Sequence, residues 1–131
     1  MLFGHALAGT PMPKVVIVDD HPVSRDGLAI RIEREPDLEV CGEAADIAEA
    51  LQVIDRSKPD VVIVDVSLET GSGIELVKEV KVRFPHVRML VWSMYDESLY
   101  AERALQAGAL GYMYVKRSLP RFARSSTETS I

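Results

Sequence analysis

Three aspartates at the ends of two similar apolar runs are the side chains of this chain best suited to chemistry. Asp19 and Asp20 end the stretch VVIVDD at 15–20, and Asp65 ends VVIVD at 61–65. Both runs are predicted to be strands covered on both faces, as in a parallel sheet flanked by helices. Ligand sites of such sheets lie beyond the carboxyl ends of the strands, so the three carboxylates are expected to meet at one edge.

Carboxylates this close together require either raised pKa values or a compensating cation. Oxygen ligands favour Mg²⁺, which binds through one or two carboxylates and keeps several waters that a phosphoryl oxygen could replace. Alternatively, each aspartate only caps the helix or turn after its strand, which suits a single aspartate better than this trio. His21 follows the pair, but no second histidine lies near it in a ligand spacing, so we expect a loop residue before Pro22.

Apolar runs alternate with amphipathic segments along the chain, which is the pattern of stacked β-α units. The five runs are KVVIVDD, LEVCGEA, DVVIVDV, VRMLVWS and ALGYMYV. Pro22 is suited to the first turn of a helix that ends near Glu35. Asp46 with Glu49 resembles a capping box, and Gly108 can close the fourth helix in the left-handed conformation. With right-handed crossovers, the pattern predicts an α/β, flavodoxin-like, doubly wound five-stranded parallel sheet of strand order 2-1-3-4-5.

The composition is that of a globular protein of one domain. The chain has 131 residues, of which 47% are hydrophobic and 27% charged, and no apolar run approaches the roughly 20 residues that span a bilayer. The opening residues lack the pattern of a secretory signal, so the cytoplasm is the expected compartment. A single cysteine, Cys41, cannot form an internal disulfide and is assigned no chemistry. The net charge of −5 argues against DNA contact through a broad basic face of this region.

The two ends of the chain do not continue the alternation. Residues 1–12 are expected to be a flexible extension, and 13–116 to form the domain. Residues 117–131 contain Pro120, many serines and threonines and few apolar side chains, so we expect an irregular tail in place of a fifth helix.

Four stretches together resemble the receiver domain of two-component response regulators, of the type usually joined to a LuxR/FixJ-like helix-turn-helix domain. They are VDDHPVSRDGL at the first strand, VIVDVSLETGSG at the third, VWSMYDE at the fourth and AGALGYM entering the fifth. The similarity covers about residues 13–116, and the combination is specific although each stretch alone is weak.

This resemblance implies a signalling domain rather than an enzyme, with Asp65 accepting a phosphoryl group from a sensor histidine kinase. It implies Mg²⁺ held by Asp19, Asp20, Asp65 and the backbone carbonyl of Ser67. Ser93 matches the hydroxyl residue that hydrogen-bonds the phosphoryl group in such domains. Its alternative reading is a strand-end hydroxyl without that role.

Three further features bear on the switch and on partners. Tyr112 matches the aromatic residue that moves inward on activation, although plain half-buried packing would explain it too. Lys116 matches the lysine that contacts the phosphoryl group, but three residues separate it from Tyr112 where the family has two, so a bulge must absorb the extra one. A missing fifth helix would expose apolar surface, for which a homodimer or a swapped oligomer is the expected remedy.

Two other function classes remain open from the residues. A degenerate receiver would act as an interaction module without phosphorylation, which the spacing of Lys116 favours. A phosphatase of the haloacid dehalogenase type also uses a strand-end aspartate with Mg²⁺, but it requires a second aspartate two residues later, where this chain has Ser67.

Overall fold

A computed structural model of the chain describes residues 12–65, 73–93 and 98–114. The strands are β1 (Lys14–Val18), β2 (Glu39–Ala44), β3 (Val61–Asp65), β4 (Arg88–Ser93) and β5 (Gly111–Tyr114). The helices are α1 (Pro22–Glu33), α2 (Ile47–Ser57), α3 (Gly73–Arg83) and α4 (Ser98–Ala107). All paired strands are parallel and lie in the order β2-β1-β3-β4-β5, which confirms the predicted topology.

The continuous aliphatic runs of β1 and β3 are explained by helices on both faces of the sheet. Successive side chains of a strand point to opposite faces. Val16, Val18, Val62 and Val64 join the core cluster that includes α2 and α3. The alternate residues Val15, Ile17, Val61 and Ile63 join the cluster that includes α1. Every one of these side chains is fully buried, so after the exposed Lys14 that begins β1 neither central strand has a polar side chain before its aspartate.

The helix boundaries follow the predicted local signals closely. Asp46 accepts a hydrogen bond from the Glu49 amide at 2.8 Å, and the Glu49 carboxylate accepts one from the Ala45 amide at 2.7 Å. Gly108 has φ of 113°, as a left-handed helix terminator does. α1 ends two residues earlier than predicted, because the Glu35 amide bonds the Ile32 carbonyl at 3.0 Å in a tighter turn.

The expectations for both ends of the chain lie outside the described residues, apart from Met12. The flexible extension, the irregular tail 117–131 and the missing fifth helix therefore remain predictions. In the ranges that the structure describes, no helix is long and apolar enough to cross a membrane.

Candidate metal centre

The pairing of β1 with β3 brings the acidic residues together. Val18 pairs with Val64 in this parallel register, and Asp19 and Asp65 directly follow these two residues in the sequence. The two aspartates therefore lie side by side at the carboxyl ends of adjacent strands. Asp19 is fully buried and Asp65 is 5% exposed. Asp20 is one residue further out and partly exposed.

The cluster has the size of a single coordination shell. One potential ligand atom from each of Asp19, Asp20, His21 and Asp65 lies within 4.8 Å of the others. Two oxygens on opposite sides of a Mg²⁺ ion are separated by about 4.2 Å, since each lies about 2.1 Å from the metal. Only a small contraction would therefore bring these side chains around one divalent ion.

Asp19 gives the clearest indication that a cation fits this cluster. Its Oδ1 accepts a hydrogen bond from the backbone amide of His21 at 2.8 Å. Its Oδ2 is buried and has no hydrogen-bond partner among the residues of the described ranges. A buried carboxylate oxygen without a partner is costly, and a bound cation removes that cost. The donor set and this oxygen together fit a hard divalent ion such as Mg²⁺.

The environment raises the pKa of Asp19 above its ordinary value. The largest cause is desolvation by burial, and the negative charge of Asp65 adds to it, while hydrogen bonding and the charge of His21 act in the opposite direction. Mutual repulsion was the cause expected from the sequence, but here it comes second to burial. Without a metal, Asp19 is therefore less favourable as a charged group than an aspartate in water.

His21 contacts both members of the acidic pair, which its sequence position alone did not predict. Its Nδ1 lies 2.9 Å from Oδ1 of Asp20 and 3.4 Å from Oδ1 of Asp19. It occupies the N-cap position of α1 in an extended conformation, but its side chain does not cap the helix. His21 is a loop residue directly before Pro22, as expected, and the short connection from β1 to α1 places its imidazole beside both carboxylates.

Arg25 is a second residue of this region that was not expected from the sequence. Its Nη1 donates to the backbone carbonyl of Asp19 at 2.7 Å, and its Nε donates to Oε1 of Glu43 at 3.2 Å. One side chain therefore ties α1 to the end of β1 and to β2. The available signal was an arginine one turn after Pro22, close behind the acidic pair.

We expect Arg25→Met to destabilise the protein by about 1–2 kcal/mol, since it removes charge-assisted hydrogen bonds from a partly exposed side chain. Glu43→Gln should cost less, because it leaves the contact with the Asp19 carbonyl in place. Chemical denaturation of both variants checks this order, with Arg34→Met, which removes an exposed arginine just after the same helix, as the control. Equal losses of unfolding free energy in Arg25→Met and Arg34→Met would show that the contacts of Arg25 do not stabilise the fold.

The remaining predicted site residues differ in what the structure describes. Ser93 ends β4, one residue beyond Trp92, which pairs with Asp65. Tyr112 pairs with Val91, is partly buried and packs against the core cluster that contains Val91. Ser67 and Lys116 lie outside the described residues.

The comparisons with known proteins all lead to one family. The response regulator receiver domain family matches residues 15–119. The chain is 41% identical over 102 residues to the DNA-binding transcriptional activator DevR/DosR of Mycobacterium tuberculosis, covering 78% of this chain and 47% of that protein. It is 40% identical over 101 residues to the oxygen regulatory protein NreC of Staphylococcus haemolyticus, covering 76% and 46%. The chain thus spans about half the length of these curated relatives.

Solved structures give the same result for the fold. The signal receiver domain of the putative response regulator NarL from Mycobacterium tuberculosis is 33% identical with a TM-score of 0.75, covering 83% of this chain and 87% of that chain. A two-component response regulator of the LuxR family from Aurantimonas sp. SI85-9A1 is 36% identical with a TM-score of 0.76, covering 79% and 74%.

Proposed function

The chain belongs to the response regulator receiver family, and from that premise we propose that it accepts a phosphoryl group on Asp65. The observation that carries the proposal is the position of Asp65, which is almost fully buried at a strand end beside Asp19 and Asp20. A carboxylate that only capped a turn would have no need of two further carboxylates within the span of one metal ion.

In the proposed reaction, a carboxylate oxygen of Asp65 forms a bond to phosphorus while the N–P bond of a phosphohistidine breaks. The leaving imidazole nitrogen takes up a proton, and the product is an aspartyl phosphate. Asp19, Asp20, Asp65 and the backbone carbonyl of Ser67 would hold Mg²⁺. When bound, Mg²⁺ would offset the negative charge that spreads over the transferring phosphoryl oxygens.

The switch that follows is assigned to Ser93 and Tyr112, with Lys116 as a cationic contact to the phosphoryl group. The position of Ser93 one residue beyond the partner of Asp65 supports its part in this assignment. Tyr112 is partly buried on the neighbouring strand, so a change of its packing would alter the surface around α4 and β5.

The partners proposed for this chain follow from the family. Receiver domains of this type interact with histidine kinases, so a sensor histidine kinase is the proposed phosphodonor. The DevR/DosR relative is a DNA-binding transcriptional activator, and we propose that this chain is the regulatory part of such a regulator, without DNA contact of its own. A homodimer or swapped oligomer and a cytoplasmic location complete the proposal.

Incubation with acetyl phosphate and Mg²⁺, followed by intact mass measurement, tests this function. We expect one phosphoryl adduct that hydroxylamine removes, as it does an acyl phosphate, and that does not form when EDTA replaces Mg²⁺. Continuous hydrolysis of many phosphate esters would instead indicate a phosphatase.

A degenerate receiver is the second candidate, because the extra residue before Lys116 changes the side of the strand to which the lysine would point. Absence of the adduct at every donor concentration, together with intact Mg²⁺ binding, would favour this interaction module over a phosphorylated switch.

A further inference from the structure

We propose that His21 is a nitrogen ligand of the acidic cluster and gives it a selective affinity for Zn²⁺ over Mg²⁺. The inference rests on the proposed metal site formed by Asp19, Asp20 and Asp65, and it adds a ligand and a metal class to that site. The donor set becomes three carboxylates and one imidazole in place of carboxylates and a carbonyl alone.

The geometry places the imidazole where a ligand would be. Nδ1 of His21 lies 2.9 Å from Oδ1 of Asp20 and 3.4 Å from Oδ1 of Asp19, and one ligand atom of His21 lies within 4.8 Å of those of all three carboxylates. A metal between these atoms would replace the present contact by separate bonds to nitrogen and oxygen. The imidazole side chain is 54% exposed, so an ion can reach it from solvent without the core opening.

The backbone already holds the ring near this position. The amide of His21 donates to Oδ1 of Asp19 at 2.8 Å, and Pro22 begins the helix immediately afterwards. Both features restrict the backbone conformation of His21, so metal binding would cost little additional conformational entropy. The buried Oδ2 of Asp19, which has no hydrogen-bond partner in the described ranges, is an independent sign that the cluster is built for a cation.

The chemistry of the donor atoms determines for which ion the affinity increases. Imidazole nitrogen suits Zn²⁺ and other late first-row ions, whereas Mg²⁺ prefers oxygen ligands and releases its water reluctantly. A nitrogen ligand therefore increases the affinity for Zn²⁺ much more than that for Mg²⁺. If the imidazole instead only contacted the carboxylates and did not bind the metal, it would lower the affinity for every divalent ion to the same extent.

These two roles give opposite results in His21→Phe, which keeps a ring of similar size and removes the nitrogen. We expect its Zn²⁺ affinity, measured by isothermal titration calorimetry, to fall by about tenfold or more, as even an outer-shell change at a metal site costs about 10–100-fold. The Mg²⁺ affinity should change by less than about twofold. His86→Ala, which removes an exposed histidine at the opposite edge of the sheet, should leave the tight Zn²⁺ site unchanged.

Electron paramagnetic resonance of the Cu²⁺-loaded protein provides a second readout. The wild-type spectrum should contain nitrogen couplings that are lost in His21→Phe and kept in His86→Ala. Thermal unfolding of each metal-free variant checks that the fold is retained, and His21→Ala repeats the test without the bulk of a new ring.

Several results would overturn the inference. Equal losses for Zn²⁺ and Mg²⁺ would indicate a general effect on the loop, and tighter binding of both ions would indicate that the imidazole competes with metal. Normal Mg²⁺ binding with unchanged Zn²⁺ affinity in His21→Phe would reject the nitrogen ligand while leaving the proposed function intact. Failure of the wild type to bind any divalent ion would reject the proposed metal site and this inference together.

Discussion

Asp65→Asn should abolish the phosphoryl adduct under conditions in which most of the wild-type protein carries one. An amide cannot form the acyl phosphate, whereas its size and shape are close to those of the carboxylate, so the nearly buried position should remain filled. Intact mass after incubation with acetyl phosphate and Mg²⁺ measures the loss, which should exceed about 100-fold in rate since the covalent acceptor itself is removed.

The matched control is Asp55→Asn, which makes the same change of charge on α2 at a carboxylate that is 70% exposed. This variant should be phosphorylated like the wild type. An adduct of undiminished yield in Asp65→Asn would show that another residue is the acceptor, and the assignment of Asp65 would then be wrong.

Asp19→Asn is expected to stabilise the metal-free protein while it weakens Mg²⁺ binding. The amide keeps an oxygen that can accept the hydrogen bond from His21, and it removes a negative charge that is buried beside Asp65. We expect the melting temperature without metal to rise by about 4 °C, roughly the effect of 1 kcal/mol in a domain of this size. Added Mg²⁺ should raise the melting temperature of the wild type and have much less effect on the variant.

The pH dependence follows from the raised pKa of Asp19. A carboxyl whose pKa is higher in the folded protein than in the unfolded chain favours folding at low pH, and this contribution is lost as pH rises through the folded-state pKa. The advantage of Asp19→Asn should therefore be largest above the folded-state pKa of Asp19 and shrink as pH falls towards the ordinary aspartate pKa.

Thermal melts of wild type, Asp19→Asn and Asp55→Asn across this pH range, all in EDTA, measure the effect. Asp55→Asn should show no comparable pH-dependent gain, because its carboxylate lies on the surface. A metal-free Asp19→Asn protein that melts below the wild type at neutral pH would mean that the buried charge is compensated by contacts stronger than those described.

The sequence alone determined the fold and the place of the acidic cluster. Long β-branched runs without polar breaks identify strands that are buried on both faces, and their alternation with capped helices restricts the chain to very few topologies. Because parallel strands end at a common edge, aspartates that follow two such runs must lie near one another. The start of α2 at Asp46 with Glu49 and the end of α4 at Gly108 could also be predicted from the sequence, since each depends only on residues close in sequence.

Only the tertiary structure decided how individual side chains meet around that cluster. Arg25 and Glu43 are 18 residues apart, and their contact depends on how α1 packs beside the edge of the sheet. The direction of the His21 imidazole depends on the path of the three-residue connection between β1 and α1. Periodicity encodes which face of an element is buried, but it contains no information on distances between side chains of different elements. For the same reason, burial rather than repulsion as the main cause of the raised pKa of Asp19 became evident only from the packed structure.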